Sequence, residues 1–135
     1  MSLKECIKSL RDSSGKPNKF KGLQSKLQNR FSLTFVIDVG NIGSMEAGFD
    51  NHNNHPRPHI HIDTKIQGVN KISIALDNGN LLHDRNKKLD NKTLSKIKDW
   101  VLDRKDCLTL IYNNIQKCKD KSDFDPLIDA MERYL

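Results

Sequence analysis

The chain has 135 residues, of which 36% are hydrophobic, and a formal net charge of +6 at pH 7. A chain of this length can bury well over half of its unfolded surface as one domain, and no apolar run approaches the roughly 20 residues that span a bilayer. Its three cysteines lack zinc-finger spacing and follow no signal peptide, so we expect a reduced, cytoplasmic protein.

Two short helices are predicted near the N-terminus. Ser2-Leu-Lys-Glu5 has the pattern of a capping box, and apolar residues follow it at helical spacing. From Phe20 onward apolar residues again recur at helical intervals with lysines between them, although Gly22 would weaken a helix by roughly 1 kcal/mol. We therefore expect residues 1–30 to form a basic helical N-terminal extension.

This N-terminal segment carries nearly all of the excess positive charge. Between positions 11 and 30 there are six basic residues and one acidic residue, Asp12. A localised basic segment is the usual electrostatic footprint of a nucleic-acid contact, although a solvated face or a linker can look the same. The residues that we assign to such a contact are Lys16, Lys19, Lys21, Lys26 and Arg30.

Four segments have the β-branched, aromatic or alternating composition of strands. The dipeptide Asn78-Gly79 favours a two-residue hairpin turn that would pair Leu81 with Leu76. The stretch 41–58 contains glycine, asparagine and two prolines, so it is predicted to be a loop. The predicted strands are residues 31–38, 58–63, 71–76 and 80–84.

Two helices are predicted in the C-terminal half. Asp90 can cap a long helix over residues 91–118, in which the apolar residues form one stripe. Asp125 followed by Pro126 fits the start of a last helix over residues 122–135.

The sequence thus predicts an α+β fold in a single domain, residues 1–135. A small antiparallel sheet would be covered by the long helix in a core of residues 31–118, with the N-terminal and C-terminal helices added to it.

Four of the five histidines lie between positions 52 and 61. Histidine titrates near neutrality and ligates metals, so such clustering suits proton transfer or metal binding better than packing. Pro58 leads into a strand on which Ile60 and Ile62 point to one side and His59 and His61 to the other. Their Cα atoms would be roughly 6.6 Å apart, so the two histidines can bind one metal or flank one phosphate.

A metal site needs a further ligand. Asp63 shares the face of His59 and His61 but would lie roughly 13 Å from His59 on a straight strand. His55 completes the metal set that we predict, and a divalent ion such as zinc or manganese is a candidate for it. Other candidates in the preceding segment are His52, Asp50 and Glu46.

Without a metal, the same residues suit acid–base chemistry on phosphate. One of His59 and His61 would be the general base and the other the general acid, with His55 in support and Arg57 stabilising the phosphate charge. The alternative is structural: the loop histidines are ordinary, and the strand pair keeps a solvated edge polar.

The pattern His55-Pro-Arg-Pro-His59-Ile-His61, followed by a short hairpin and a helix bearing Trp100, resembles the small bacterial family called domain of unknown function 4160. The resemblance covers roughly residues 31–115 and rests on a His-x-Pro-Pro-His-x-His core.

The chain departs from this family pattern at two positions. Arg57 replaces the first proline of the usual pair, and Asn54 stands where a glutamate is common. The resemblance implies a compact α+β domain, often encoded beside another small protein in an arrangement like a toxin–antitoxin pair.

Three functions remain open. The leading hypothesis is a toxin-like hydrolase, a ribonuclease or phosphodiesterase, that uses His59 and His61 with His55 and Arg57. The competing one is a non-catalytic module that binds nucleic acid or a small cognate partner protein. A third is a small metal-binding regulator.

Overall fold

A computed structural model describes residues 2–11, 19–25, 30–40, 42–51, 57–66, 69, 71–82 and 89–135. The elements it describes, in chain order, are α1 (Leu3–Ser9), β1 (Phe20–Ser25), β2 (Arg30–Val39), β3 (Gly43–Asp50), β4 (His59–Asp63), β5 (Ile72–Ala75), α2 (Asn91–Asp103), α3 (Lys105–Gln116) and α4 (Lys121–Tyr134).

The sheet has the order β1-β2-β3-β4-β5, and every neighbouring pair is antiparallel. α3 packs on β2, β3 and β4, while α2 packs on β2 and α4 on β1. Alternate residues of β2, from Phe31 to Val39, are buried on this inner face, whereas the residues between them are partly exposed on the outer face. The predicted α+β class with an antiparallel sheet is therefore confirmed.

Local sequence accounts for the helix starts. The Ser2 hydroxyl accepts a hydrogen bond from the backbone N–H of Glu5, and the Asp90 carboxylate accepts one from Thr93 N–H. Both side chains satisfy an amide that the first turn of a helix leaves without a partner. None of the described helices is long and apolar enough to cross a bilayer.

The helix predicted from Phe20 onward is wrong, because residues 20–25 form β1. This strand pairs along its length with β2, and that tertiary pairing overrides the helical spacing of the apolar residues. Gly22 faces α4, where an added Cβ would meet Ile128 and Phe124. Leu23, which the helical pattern would bury, points to the outer face and is 52% exposed.

The loop predicted over 41–58 is wrong in its first part, because residues 43–50 form the central strand β3. The strand buries Met45, Ala47 and Phe49 in alternation. Its glycines made the segment look like a loop in the sequence. Gly43 has a φ of +108° beside the turn from β2, and Gly48 lies within the strand.

The hairpin after β5 has a different register from the predicted one. Leu81 pairs with Ile74 rather than with Leu76, because a four-residue connection replaces the two-residue turn. The strand predicted over 80–84 is reduced to this one bridge within residues 80–82, and the rest of it lies outside the described residues. Leu76 is buried, and Gly79 takes a φ of +71° in the connection.

The single helix predicted over 91–118 is two helices, α2 and α3. Arg104 leaves the helical region, with φ −119° and ψ 17°, where residues 102–106 are largely exposed and interrupt the apolar stripe. The predicted C-terminal helix is confirmed as α4, but Asp120 caps it rather than Asp125, and Pro126 lies inside it.

Candidate functional site

His61 is held between two polar partners on the outer face of β4. Its Nε2 lies 3.3 Å from Oδ2 of Asp50, and its Nδ1 lies 3.0 Å from Oγ of Ser73. Asp50 ends β3 and Ser73 lies in β5, so neighbouring strands fix both partners. A neutral imidazole that donates from Nε2 to the carboxylate has its lone pair on Nδ1, where the serine hydroxyl donates.

A row of residues that pair from strand to strand runs across the sheet through His61, starting at the edge strand β1. The paired residues are, in order, Lys21, Thr34, Gly48, His61 and Ser73. An open pocket of about 480 Å³ lies over the first four residues of this row, from Lys21 to His61. Because Gly48 has no side chain, the row has a gap at its centre, and Lys21 and His61 both line the pocket around it.

His59 precedes His61 on the same strand face but is more deeply placed. It is 4% exposed, whereas the His61 side chain is 28% exposed. The two rings are in edge contact with centroids 4.9 Å apart, and the ring of Tyr112 from α3 lies 5.9 Å from that of His59. His59 Nδ1 lies 2.8 Å from the carbonyl oxygen of Arg57, which can only accept, so Nδ1 carries a proton.

The Arg57 side chain is paired with a carboxylate. It contacts Asp77 in the connection after β5, with Nη2 2.7 Å from Oδ1 and Nε 3.1 Å from Oδ2. This two-point contact lowers the pKa of Asp77, chiefly through the hydrogen bonds from the guanidinium. Arg57 therefore supports the start of β4 through its carbonyl, and its guanidinium binds a carboxylate.

The pocket contains both signs of charge. Lys21 and Lys71 line it, together with the carboxylates of Glu46, Asp50 and Asp63. Backbone and side-chain contacts with Lys65 satisfy Asp63, and the N–H of Lys65 is the main cause of its lowered pKa.

The other two carboxylates also have cationic or protonatable neighbours. Lys65 Nζ lies 3.4 Å from Glu46, and Asp50 faces His61. The charge of Asp50 also reaches Tyr112, whose pKa is raised by burial first and by that carboxylate second.

The predicted metal set is not assembled among the described residues, which contain no group of three His, Cys, Asp or Glu side chains arranged around one ion. His59 and His61 are adjacent, but the predicted third ligand, His55, lies outside the described residues, as does His52. Of the other candidates, Asp50 contacts His61, and Glu46 contacts Lys65.

The residues predicted to contact nucleic acid do not share one location. Lys21 lines the pocket with His61, whereas Lys19 is exposed before β1 and Arg30 is exposed at the start of β2. Lys16 and Lys26 lie outside the described residues.

Sequence reasoning did not single out Ser73 or Tyr112. Ser73 alternates with Ile72 and Ile74, which indicates its face, but its position opposite His61 depends on the register of β4 and β5. Tyr112 comes from α3 and reaches His59 only through the packing of that helix on the sheet. No pattern within either segment marks the contact.

Comparison with known protein families gives a match over about half of the chain. Residues 49–112 fit the model of the family described as Domain of unknown function (DUF4160), which confirms the resemblance predicted from the histidine pattern over a shorter stretch. This range includes Asp50, both strand histidines, Ser73 and Tyr112, and it excludes Lys21. No curated protein and no solved structure matches the chain.

Proposed function

We propose that this chain, which matches the DUF4160 family over residues 49–112, is a metal-independent phosphodiesterase that acts on RNA or a similar polynucleotide, with His61 as the proton-transfer group. The observation that carries the proposal is the shared pocket of Lys21 and His61 on one cross-strand row.

The spacing along this row suits a phosphate between the two side chains. Three strand spacings, about 14 Å between backbones, separate Lys21 from His61, and both residues line the pocket between them. A phosphate above Gly48 would contact the Lys21 ammonium on one side and the imidazole on the other. The ammonium would hold this phosphate by charge-assisted hydrogen bonds and so keep the polynucleotide backbone against His61.

Carboxylates in the pocket would repel a phosphate if they had no cationic neighbours. Glu46 and Asp63 share the Lys65 ammonium, which reduces their field, and Asp50 is held against the His61 ring. Lys71 adds a further positive charge at the same pocket. This arrangement supports phosphate binding at the Lys21 side of the row.

The roles of the site residues follow from their contacts. His61 is the more exposed histidine and is the general acid or base, while Asp50 orients its ring. His59 is buried behind it and fixes the position of its ring through the edge contact. Arg57 holds His59 through its backbone carbonyl.

The test is RNA cleavage by the full-length protein, with fluorescent oligonucleotides of varied sequence and with or without a chelator. We expect cleavage that persists with chelator and falls on the order of 10²- to 10⁴-fold in His61→Ala, because proton transfer contributes that much to rate. Circular dichroism melting of the variant checks that it is folded. Cleavage at the parent rate by folded His61→Ala would exclude the assignment.

A second candidate function is non-catalytic binding on the same outer face. It is favoured by one observation: both ring nitrogens of His61 already have protein partners, as in a structural histidine. This function predicts no cleavage of any oligonucleotide, with RNA binding, or binding of a small cognate protein, that is weakened by Lys21→Ala. For either function, we also propose a cytoplasmic location and a partner protein in a toxin–antitoxin-like pair.

A further inference from the structure

Ser73, His61 and Asp50 form a continuous line of polar contacts across three strands. The Ser73 hydroxyl meets Nδ1 of His61 at 3.0 Å, and Nε2 on the far side of the ring meets the Asp50 carboxylate at 3.3 Å. A hydroxyl against a base, with that base held by a carboxylate, is the arrangement that activates a serine nucleophile.

We propose that Ser73 is the nucleophile of the phosphodiesterase reaction and forms a covalent phosphoserine intermediate. The inference rests on the proposed function, because it takes the same base, His61, at the edge of the same pocket.

The pairing of β4 with β5 fixes the position of Ser73 relative to His61. Ser73 lies directly opposite His61 in the β4–β5 register, so backbone hydrogen bonds rather than a loop hold the hydroxyl at the imidazole. Ser73 is only partly buried, and Lys71, two residues before it, lines the pocket. Ser73 itself lies beside the pocket, on the far side of His61 from Gly48, so the phosphate that it attacks is a neighbour, along the same polynucleotide, of the phosphate above Gly48.

Three other described serines have partners that do not activate them. The Ser44 hydroxyl donates to the Asp38 carboxylate, and that of Ser122 donates to Asp120. The Ser9 hydroxyl donates to the carbonyl of Cys6. Within the hydrogen bonds of the described residues, Ser73 is the serine that meets an imidazole.

The reaction would proceed in two balanced steps. In the first, Ser73 Oγ forms a bond to phosphorus as the bond to the leaving oxygen breaks, and the serine proton passes through His61 Nδ1 to that oxygen. In the second, a water oxygen bonds to phosphorus and the bond to Oγ breaks. One water proton passes through His61 back to Oγ.

This mechanism fixes which substrates are accepted. A protein nucleophile does not need the ribose 2′-hydroxyl, so DNA and 2′-O-methyl RNA would be cleaved as well as RNA. The product would be a linear phosphate rather than a 2′,3′-cyclic phosphate. Direct attack by the 2′-hydroxyl, with His61 as base, would cleave RNA alone.

The first test is labelling of the full-length protein by a fluorophosphonate, whose phosphorus bonds to an activated serine oxygen as fluoride leaves. Peptide mass spectrometry should locate the label at Ser73. We expect labelling to vanish in Ser73→Ala and to fall at least about 10-fold in His61→Ala and Asp50→Asn. Ser44→Ala, a serine of the same sheet with a carboxylate partner, is the matched control and should label as the parent does.

The second test compares cleavage of RNA and 2′-O-methyl RNA of the same sequence by the parent, Ser73→Ala and Ser44→Ala proteins. Cleavage of both strands, lost in Ser73→Ala, supports the inference. Parent-like labelling in Ser73→Ala, or no label on the parent protein, would overturn it. Cleavage of RNA alone with a cyclic product, unchanged in Ser73→Ala, would also overturn it while leaving the proposed function of His61 intact. Labelling at Ser73 without cleavage of any strand would instead retain the activated serine and contradict the phosphodiesterase.

Discussion

Oδ2 of Asp50, the last residue of β3, lies 3.3 Å from Nε2 of His61 in the middle of β4. The carboxylate is 16% exposed, so water screens the contact less than it would at the surface. In the proposed reaction this contact selects the His61 tautomer with its lone pair on Nδ1. Asp50→Asn keeps the shape of the side chain and removes the charge, so we expect RNA cleavage to fall on the order of 10²- to 10⁴-fold.

Asp38→Asn is the matched control for this variant, because Asp38 accepts a serine hydrogen bond on the same sheet and has no contact with either described histidine. It should cleave at the parent rate. Equal rates for Asp50→Asn and Asp38→Asn, measured on folded proteins, would show that Asp50 does not orient His61.

Lys21 should contribute phosphate binding rather than proton transfer. Removal of one lysine that contacts a phosphate weakens polynucleotide binding at every sequence and reduces the slope of log affinity against log salt by about 1. We expect this change in Lys21→Ala, measured by fluorescence anisotropy over a salt series. Lys105→Ala, an exposed lysine at the start of α3, should retain the parent slope. If the salt slope of Lys21→Ala equals that of the parent, Lys21 does not bind phosphate at this site.

Gly48 gives the pocket its floor and should not tolerate a larger residue. A Cβ there would lie 2.9 Å from both the carbonyl oxygen of Leu33 and Cγ2 of Thr34. We expect Gly48→Ala to lower the free energy of unfolding by about 1–3 kcal/mol, the usual cost of overpacking, in urea titrations. Thr34→Ala in the same chain removes one of the two close contacts, so the double variant should regain part of the loss. A stability equal to the parent would contradict this packing.

The sequence predicted β2, β4 and β5 as strands but not β1 and β3. The residues of these strands explain the difference. β2, β4 and β5 contain β-branched or aromatic residues in alternation, and their own residues indicate a strand. β1 and β3 contain Gly22 and Gly48, which pack against a helix and a neighbouring strand. The strand character of these two segments comes from their partners, which a local pattern does not contain.

The candidate site could likewise be predicted only in part. Alternation along one strand is a local property, so His59 and His61 were predicted as a pair on one face. The partners of His61 depend on the register between strands, which placed Ser73 opposite it and brought Asp50 to its other side. Asp50 was a candidate from the sequence only as a metal ligand, because a residue in a predicted loop has no defined neighbour.

The contact between Arg57 and Asp77 should be visible in a titration. Asp77 has a lowered pKa, mainly because the guanidinium donates to it, so its stabilising effect is present above its unfolded pKa near 3.8 and is lost as pH falls through the folded value. In Arg57→Ala we expect the Asp77 pKa, measured from carboxyl carbon shifts by NMR, to rise toward 3.8. Asp90, whose pKa is lowered by its contacts with Thr93, should not change. An unchanged Asp77 pKa would mean that the pair does not form.

Cys6 should make the protein less stable in alkali. The thiol is buried in α1, and burial first, then the hydrogen bond and charge of Cys107, raise its pKa from 9.0 to about 12. The unfolded chain therefore loses this proton near pH 9 while the folded chain keeps it. Stability is fully present below pH 9 and falls as pH rises toward 12.

We expect urea midpoints of the parent to decline over this range more steeply than those of Cys6→Ala, because the variant has no thiol to ionise at that position. Val101→Ala, which removes buried apolar volume from α2 without a titratable group, should be less stable at every pH but keep the parent slope. Parallel pH profiles for the parent and Cys6→Ala would contradict the raised pKa. The same burial predicts that none of the three cysteines reacts with a thiol reagent in the native protein at pH 8, and that all three react once it is unfolded.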